Sequence, residues 1–136
     1  MTNRPIRLAG YAALFDIPDS DRDTIRRGAF AQTLAARKLA LPLLWQHRPD
    51  QPLGVVESVK EDTRGLKVIA LIDQINSRGA RQLASKAVNG LSFGYRVREA
   101  RQSQSGRELL GIDLFEVSLV TDPLHCLLYT SDAADE

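Results

Sequence analysis

Between Gly90 and Val97 the chain alternates with the period of a β-strand, Leu91, Phe93, Tyr95 and Val97 forming one face and Ser92, Gly94 and Arg96 the other. The Ser92 hydroxyl therefore points away from the apolar stripe, beside a glycine with no side chain to obstruct an approaching peptide. Ile6, Leu8 and Gly10 likewise alternate with Arg7, Ala9 and Tyr11 before Ala12-Ala13-Leu14-Phe15, which predicts a first strand ending at the acidic turn over residues 16–21. A short strand at Asp23–Ile25 follows, and the spacing of Phe30, Leu34 and Ala35 predicts a helix over residues 31–37. Residues 41–47 read as a buried strand with Pro42 near its start. Arg48-Pro49-Asp50-Gln51-Pro52 breaks that run, so His47 is expected at a strand end beside a loop. Residues 53–60 and 65–72 predict two antiparallel strands around a charged turn. Asn76 or Ser77 is suited to cap a helix burying Ala80, Leu83, Ala84 and Ala87, which stops at Asn89-Gly90. Residues 100–107 read as a polar hairpin loop and 108–120 as the last strand. Phe115, Val117 and Leu119 are expected on one face of that strand, with Glu116 and Ser118 on the other.

A chain of 136 residues suits one domain of mainly β structure. Eighteen basic against seventeen acidic residues, a net charge of +1, make no electrostatic case for nucleic acid or an anionic membrane as partner. The single cysteine, Cys126, has no internal partner, no apolar run approaches the roughly 20 residues of a bilayer span, and the first residues lack the apolar core of a signal peptide. A reducing, cytosolic setting is the expectation. The acidic turn lacks the glycine and terminal glutamate of a calcium loop, so no metal and no cofactor are assigned.

Candidate chemistry changes this picture at three positions. A serine hydroxyl is a poor nucleophile at neutral pH unless an imidazole takes its proton, and the imidazole works best when a third group fixes its tautomer. Ser92, His47 and Glu116 supply the three side-chain types. Taken singly, each has a plainer reading: a solvated strand serine, a histidine satisfied by backbone, a solvated or ion-paired carboxylate. Their separation along the chain does not decide between these readings.

Four blocks taken together are more specific. Gly28-Ala29-Phe30 with Thr33-Leu34, Leu44-Trp45-Gln46-His47, Gly90-Leu91-Ser92-Phe93-Gly94-Tyr95 and Glu116-Val117-Ser118-Leu119-Val120-Thr121-Asp122-Pro123 resemble, in order, the phage HK97-type prohead protease family. The resemblance covers roughly residues 6 to 123. It implies that His47, Ser92 and Glu116 are catalytic. It also implies a fold like that of the herpesvirus assembly proteases, a closed or nearly closed β-barrel surrounded by a few helices. The implied function is a serine endopeptidase that processes phage scaffold and capsid proteins, and in many members itself, within the immature head in an infected or lysogenic bacterial host. Backbone amides are the usual oxyanion donors; Arg96 is a side-chain candidate on the Ser92 face. Oligomeric state stays open, with a homo-oligomer allowed. The alternative from a different class is a non-catalytic head-assembly module that binds scaffold through a strand edge. On this reading the protease domain is 1–123 and residues 124–136 are an atypical tail, which from Cys126 onward resembles translated sequencing-adapter read-through.

Overall fold

The computed structural model describes residues 5–19, 21–36, 41–84, 90–120 and 127–132. Its described elements are β1 (Ile6–Leu14), β2 (Asp23–Ile25), α1 (Ala31–Ala36), β3 (Pro42–Trp45), β4 (Arg48–Glu61), β5 (Gly65–Ile72), α2 (Arg78–Ala84), β6 (Gly90–Ser103), β7 (Gly106–Val120) and β8 (Leu127–Asp132). The strands form one curled half-barrel sheet in the order β2-β7-β3-β4-β5-β1-β8, with β6 on the other edge of β7. The mainly β fold, with few helices, is as expected.

Strand β7 holds the arrangement together. It pairs antiparallel with β6 along its length, and its opposite edge takes β2 and β3 in parallel, β3 through Leu43↔Val117, Leu44↔Ser118 and Trp45↔Leu119. The core lies against the face carrying Leu91, Phe93, Val117 and Leu119, all buried, together with Leu43, Leu66, Val68 and Ile72 from the meander. Phe30, fully buried just before α1, meets the Phe93 ring edge-on at a centroid distance of 5.4 Å; burying such a side chain is worth about 2–3 kcal/mol. The Glu61 carboxylate accepts hydrogen bonds from the amides of Gly28 and Phe30, so the Gly28-Ala29-Phe30 block serves the entry to α1.

Several local expectations change. Ala35 is exposed; the inward face of α1 instead carries Leu34 and Thr33, whose Oγ1 accepts the Leu114 amide hydrogen. Residues 48–52 belong to β4 rather than a loop, and shifts of the β3–β4 register between Trp45↔Arg48 and Leu44↔Pro52 let Pro49 and Pro52 sit there without breaking a regular ladder. The polar stretch 100–107 is mostly strand, its turn reduced to Gln104-Ser105, because a solvated ribbon satisfies its backbone by pairing without burying a face. A further strand, β8, follows β7 and pairs with β1. Ser77 caps α2, its Oγ accepting from the Ala80 amide. The expected facing of Ala84 and Ala87, the stop at Asn89, and His125 and Cys126 lie outside the described residues.

Phe115 is the most informative departure. It is 54% exposed, not core. Gly94 pairs with Glu116 and Tyr95 with Leu114, so Phe115 is the extra residue of a β-bulge. The buried positions of β7 accordingly change parity, from Ile112 and Leu114 to Val117 and Leu119, while the apolar face of β6 keeps its odd-numbered register.

Candidate active site

His47 lies in the two-residue turn between β3 and β4, closed by the Trp45↔Arg48 pair. Gln46 and His47 both have left-handed backbones, φ 51° and 60°, the geometry of a type I′ hairpin turn, which usually selects Asn or Gly. Tertiary contacts hold it instead. The Gln46 amide donates to Leu119 O at 3.0 Å, the His47 amide donates to Ser118 Oγ at 3.0 Å, and Trp45 is buried at the base of the turn. The expected strand end is thus a tight turn tied to β7.

Glu116 enters from β7. Its side chain is 12% exposed, whereas that of His47 is 43% exposed. His47 Nδ1 and Glu116 Oε1 are 2.7 Å apart. A carboxylate only accepts hydrogen bonds, so the proton of this contact belongs to Nδ1, and in the neutral ring the Nε2 lone pair is left available. The second oxygen, Oε2, accepts from Ser118 Oγ at 2.8 Å.

Ser92 stands on the other side of β7, on β6, directly across from Ser118. Strands β6 and β3 therefore flank β7, and the three predicted residues come from three adjacent strands or their turn. Side chains of directly paired residues share a face, so Ser92, Gly94, Glu116 and Ser118 face the same way. Gly94 leaves the space that the Glu116 side chain fills: a Cβ there would lie 2.7 Å from Cγ and 2.8 Å from both Cδ and Oε1. The Oε1 that meets His47 Nδ1 accordingly lies over Gly94 of the Ser92 strand. Among the described residues, His47 and Glu116 are hydrogen-bonded to each other, and Ser92 shares the face of Glu116 without a hydrogen bond to His47 in this conformation.

Arg96 is tied down elsewhere. Its Nη2 donates to Asp113 Oδ2 at 3.0 Å, its guanidinium lies 5.9 Å from the centre of the Phe115 ring, and its side chain is 72% exposed. It stands four positions along β6 from Ser92, about 13 Å of backbone. Asp113, held by Arg96 and Arg98, stays ionised below the usual carboxylate range. From sequence, Ser118 has no assigned role and Gly94 reads as room for an approaching peptide, whereas the Glu116 side chain fills that room. The available signal was their alternation with Glu116 and Ser92 on the outward faces.

A curled sheet of this topology is similar in fold to the herpesvirus proteases. Varicella-zoster virus protease superposes with a TM-score of 0.63 at 18% identity, covering 95% of this chain and 64% of that one. A Kaposi's sarcoma herpesvirus (KSHV) protease solved with a hexapeptide phosphonate inhibitor gives 0.60 at 13%, covering 97% and 67%. At these identities the likeness is one of fold. The model of the caudovirus prohead serine proteases matches residues 2–127, and the chain belongs to that family. It is 32% identical over 121 residues to the prohead protease of Enterobacteria phage HK97, covering 84% of this chain and 54% of that protein. It is also 33% identical over 97 residues to a capsid polyprotein of Pseudomonas phage PAJU2, covering 63% of this chain and 14% of that one. The chain therefore spans about half the length of the HK97 protein and a small part of the polyprotein.

Proposed function

We propose that this chain is a serine endopeptidase of phage head maturation, with residues 1–123 as its protease domain, Ser92 as nucleophile, His47 as general base and acid, and Glu116 as the carboxylate that orients His47. The observation that carries the reading is the 2.7 Å contact between His47 Nδ1 and Glu116 Oε1, which leaves Nε2 to take a proton. Ser92 Oγ attacks the scissile carbonyl as its proton passes to Nε2. Collapse of the tetrahedral intermediate breaks the C–N bond, Nε2 returns the proton to the leaving amine, and water attacks the acyl-enzyme by the same route in reverse. Glu116 stabilises the transient imidazolium. Family membership supports capsid and scaffold proteins as substrates, met inside the immature head in the host cytoplasm.

A fluorophosphonate probe tests this directly. Wild-type protein is expected to label stoichiometrically and the Ser92→Ala variant not at all, with both melting at nearly the same temperature. Turnover on a capsid-derived peptide should fall by about 10⁴-fold or more in that variant. Folded wild-type protein that neither labels nor cleaves would instead favour a non-catalytic head-assembly module.

A further inference from the structure

We infer that Ser118 is a positioning residue of the site, its hydroxyl fixing at once the carboxylate of Glu116 and the turn that carries His47; this rests on the catalytic reading above. Ser118 is fully buried on β7. A hydroxyl has one proton to give, and here it goes to Glu116 Oε2 at 2.8 Å, while an oxygen lone pair receives the His47 amide hydrogen at 3.0 Å. The carboxylate can rotate about its last bond unless its second oxygen is held. With Oε2 held, Oε1 is fixed where it meets Nδ1. The closed path from the His47 amide through Ser118 Oγ, Oε2 and Oε1 to Nδ1 ties the backbone and ring of one histidine to the same two residues of β7.

The amide contact has a second consequence. His47 is a non-glycine residue with φ 60°, a conformation that persists only where its surroundings impose it. The hydroxyl gives that turn an anchor next to the one from Gln46 to Leu119 O. Ser118 needs no contact with substrate to serve in this way.

Three variants test the role: Ser118→Ala, Ser118→Cys, which keeps the volume with a poor hydrogen-bonding group, and Ser118→Thr, which keeps the hydroxyl. The rate per active site, counted by fluorophosphonate titration, should fall on the order of 10- to 100-fold in the alanine and cysteine variants, with KM changed less than twofold. Threonine should retain more activity than cysteine. The low-field proton NMR signal of the His47 Nδ1–H, followed in a Ser92→Ala background, should broaden or vanish on loss of the hydroxyl. That signal does not depend on turnover. If wild-type protein is inactive yet the signal responds to Ser118, the catalytic reading fails and the positioning role stands. A folded cysteine or alanine variant with wild-type turnover and an unchanged His47 signal overturns the inference.

Discussion

Replacing Gly94 by alanine should disable the site while sparing the fold. Gly94 does not occupy the left-handed region, so its backbone accepts an alanine without strain, and fewer unfolded conformations would by themselves favour folding by about 0.4–1 kcal/mol. The difficulty is local. The new methyl group would stand 2.7 Å from Glu116 Cγ and 2.8 Å from Cδ and Oε1, where carbon atoms normally rest about 3.5–4.0 Å apart. The carboxylate must therefore withdraw by about 1 Å. Its contact with Nδ1 is 2.7 Å long, and a hydrogen bond to nitrogen tolerates stretching to about 3.2 Å, roughly half of that displacement. Either the bond breaks or the imidazole follows the carboxylate away from the Ser92 strand. A misplacement of about 1 Å at a reacting group costs on the order of 10²-fold, so kcat on a peptide substrate should fall by about that factor with the melting temperature little changed. The assay is turnover together with fluorophosphonate labelling rate on protein shown folded by thermal unfolding. A folded Gly94→Ala protein within twofold of wild type in both would refute the argument that the empty space at Gly94 seats the carboxylate.

Glu116→Gln should lower turnover by less than Ser92→Ala but well beyond an exposed hairpin control such as Gln104→Ala, because the amide brings no charge to the imidazolium and can offer Nδ1 a donor; equal activities of the variant, the control and wild type would leave a His47–Ser92 dyad. Ser118 is unsuitable as that control, being fully buried and bonded to both partners. Tyr11→Phe should cost about 1 kcal/mol of stability at neutral pH, since the Tyr11 hydroxyl donates to Asp62 Oδ2 at 2.5 Å and, with the Arg64 and Gly65 amides, holds the Asp62 carboxyl below its ordinary range. A depressed carboxyl stabilises the fold above its unfolded value and ceases to as the pH falls through its folded one. The gap in melting temperature between Tyr11→Phe and wild type should therefore be full near pH 7 and close below about pH 4; a gap independent of pH across that range would exclude the linkage.

The parts legible in the sequence are those where one strand face is buried. Leu91, Phe93, Tyr95 and Val97, or the meander strands, announce themselves because burial selects apolar residues at every second position. The exposed ends of β6 and β7 carry no such signature, since a solvated ribbon is held by backbone pairing and by ion pairs such as Arg101 with Glu108, and it read as a loop. The His47 turn was hidden for a different reason: Gln46-His47 lacks the Asn or Gly that a type I′ turn ordinarily selects, and its geometry is imposed by Leu119 O and Ser118 Oγ from another strand. His47, Ser92 and Glu116 could be named from their family blocks, but not the residues that position them, which depend on register.

That register explains why the bulge matters. Side chains alternate with period two, so if β7 ran on through Phe115 in regular pairing, a strand that buries Ile112 and Leu114 would also direct Glu116 and Ser118 into the core and turn Val117 and Leu119 outward. A charged carboxylate in that position would lack the His47 partner it now has, at a cost of several kcal/mol. Because the bulge takes Phe115 out of the ladder, alternation resumes at Glu116 as though it followed Leu114: both halves of β7 bury their apolar side chains and Glu116 lies on the outward face, over Gly94 and on the side of Ser92. Phe115 is left 54% exposed as the residue that takes up the change of phase. The exposed phenylalanine thus marks the bulge, and it is the bulge, by taking Phe115 out of the count, that lets a core strand also carry the carboxylate.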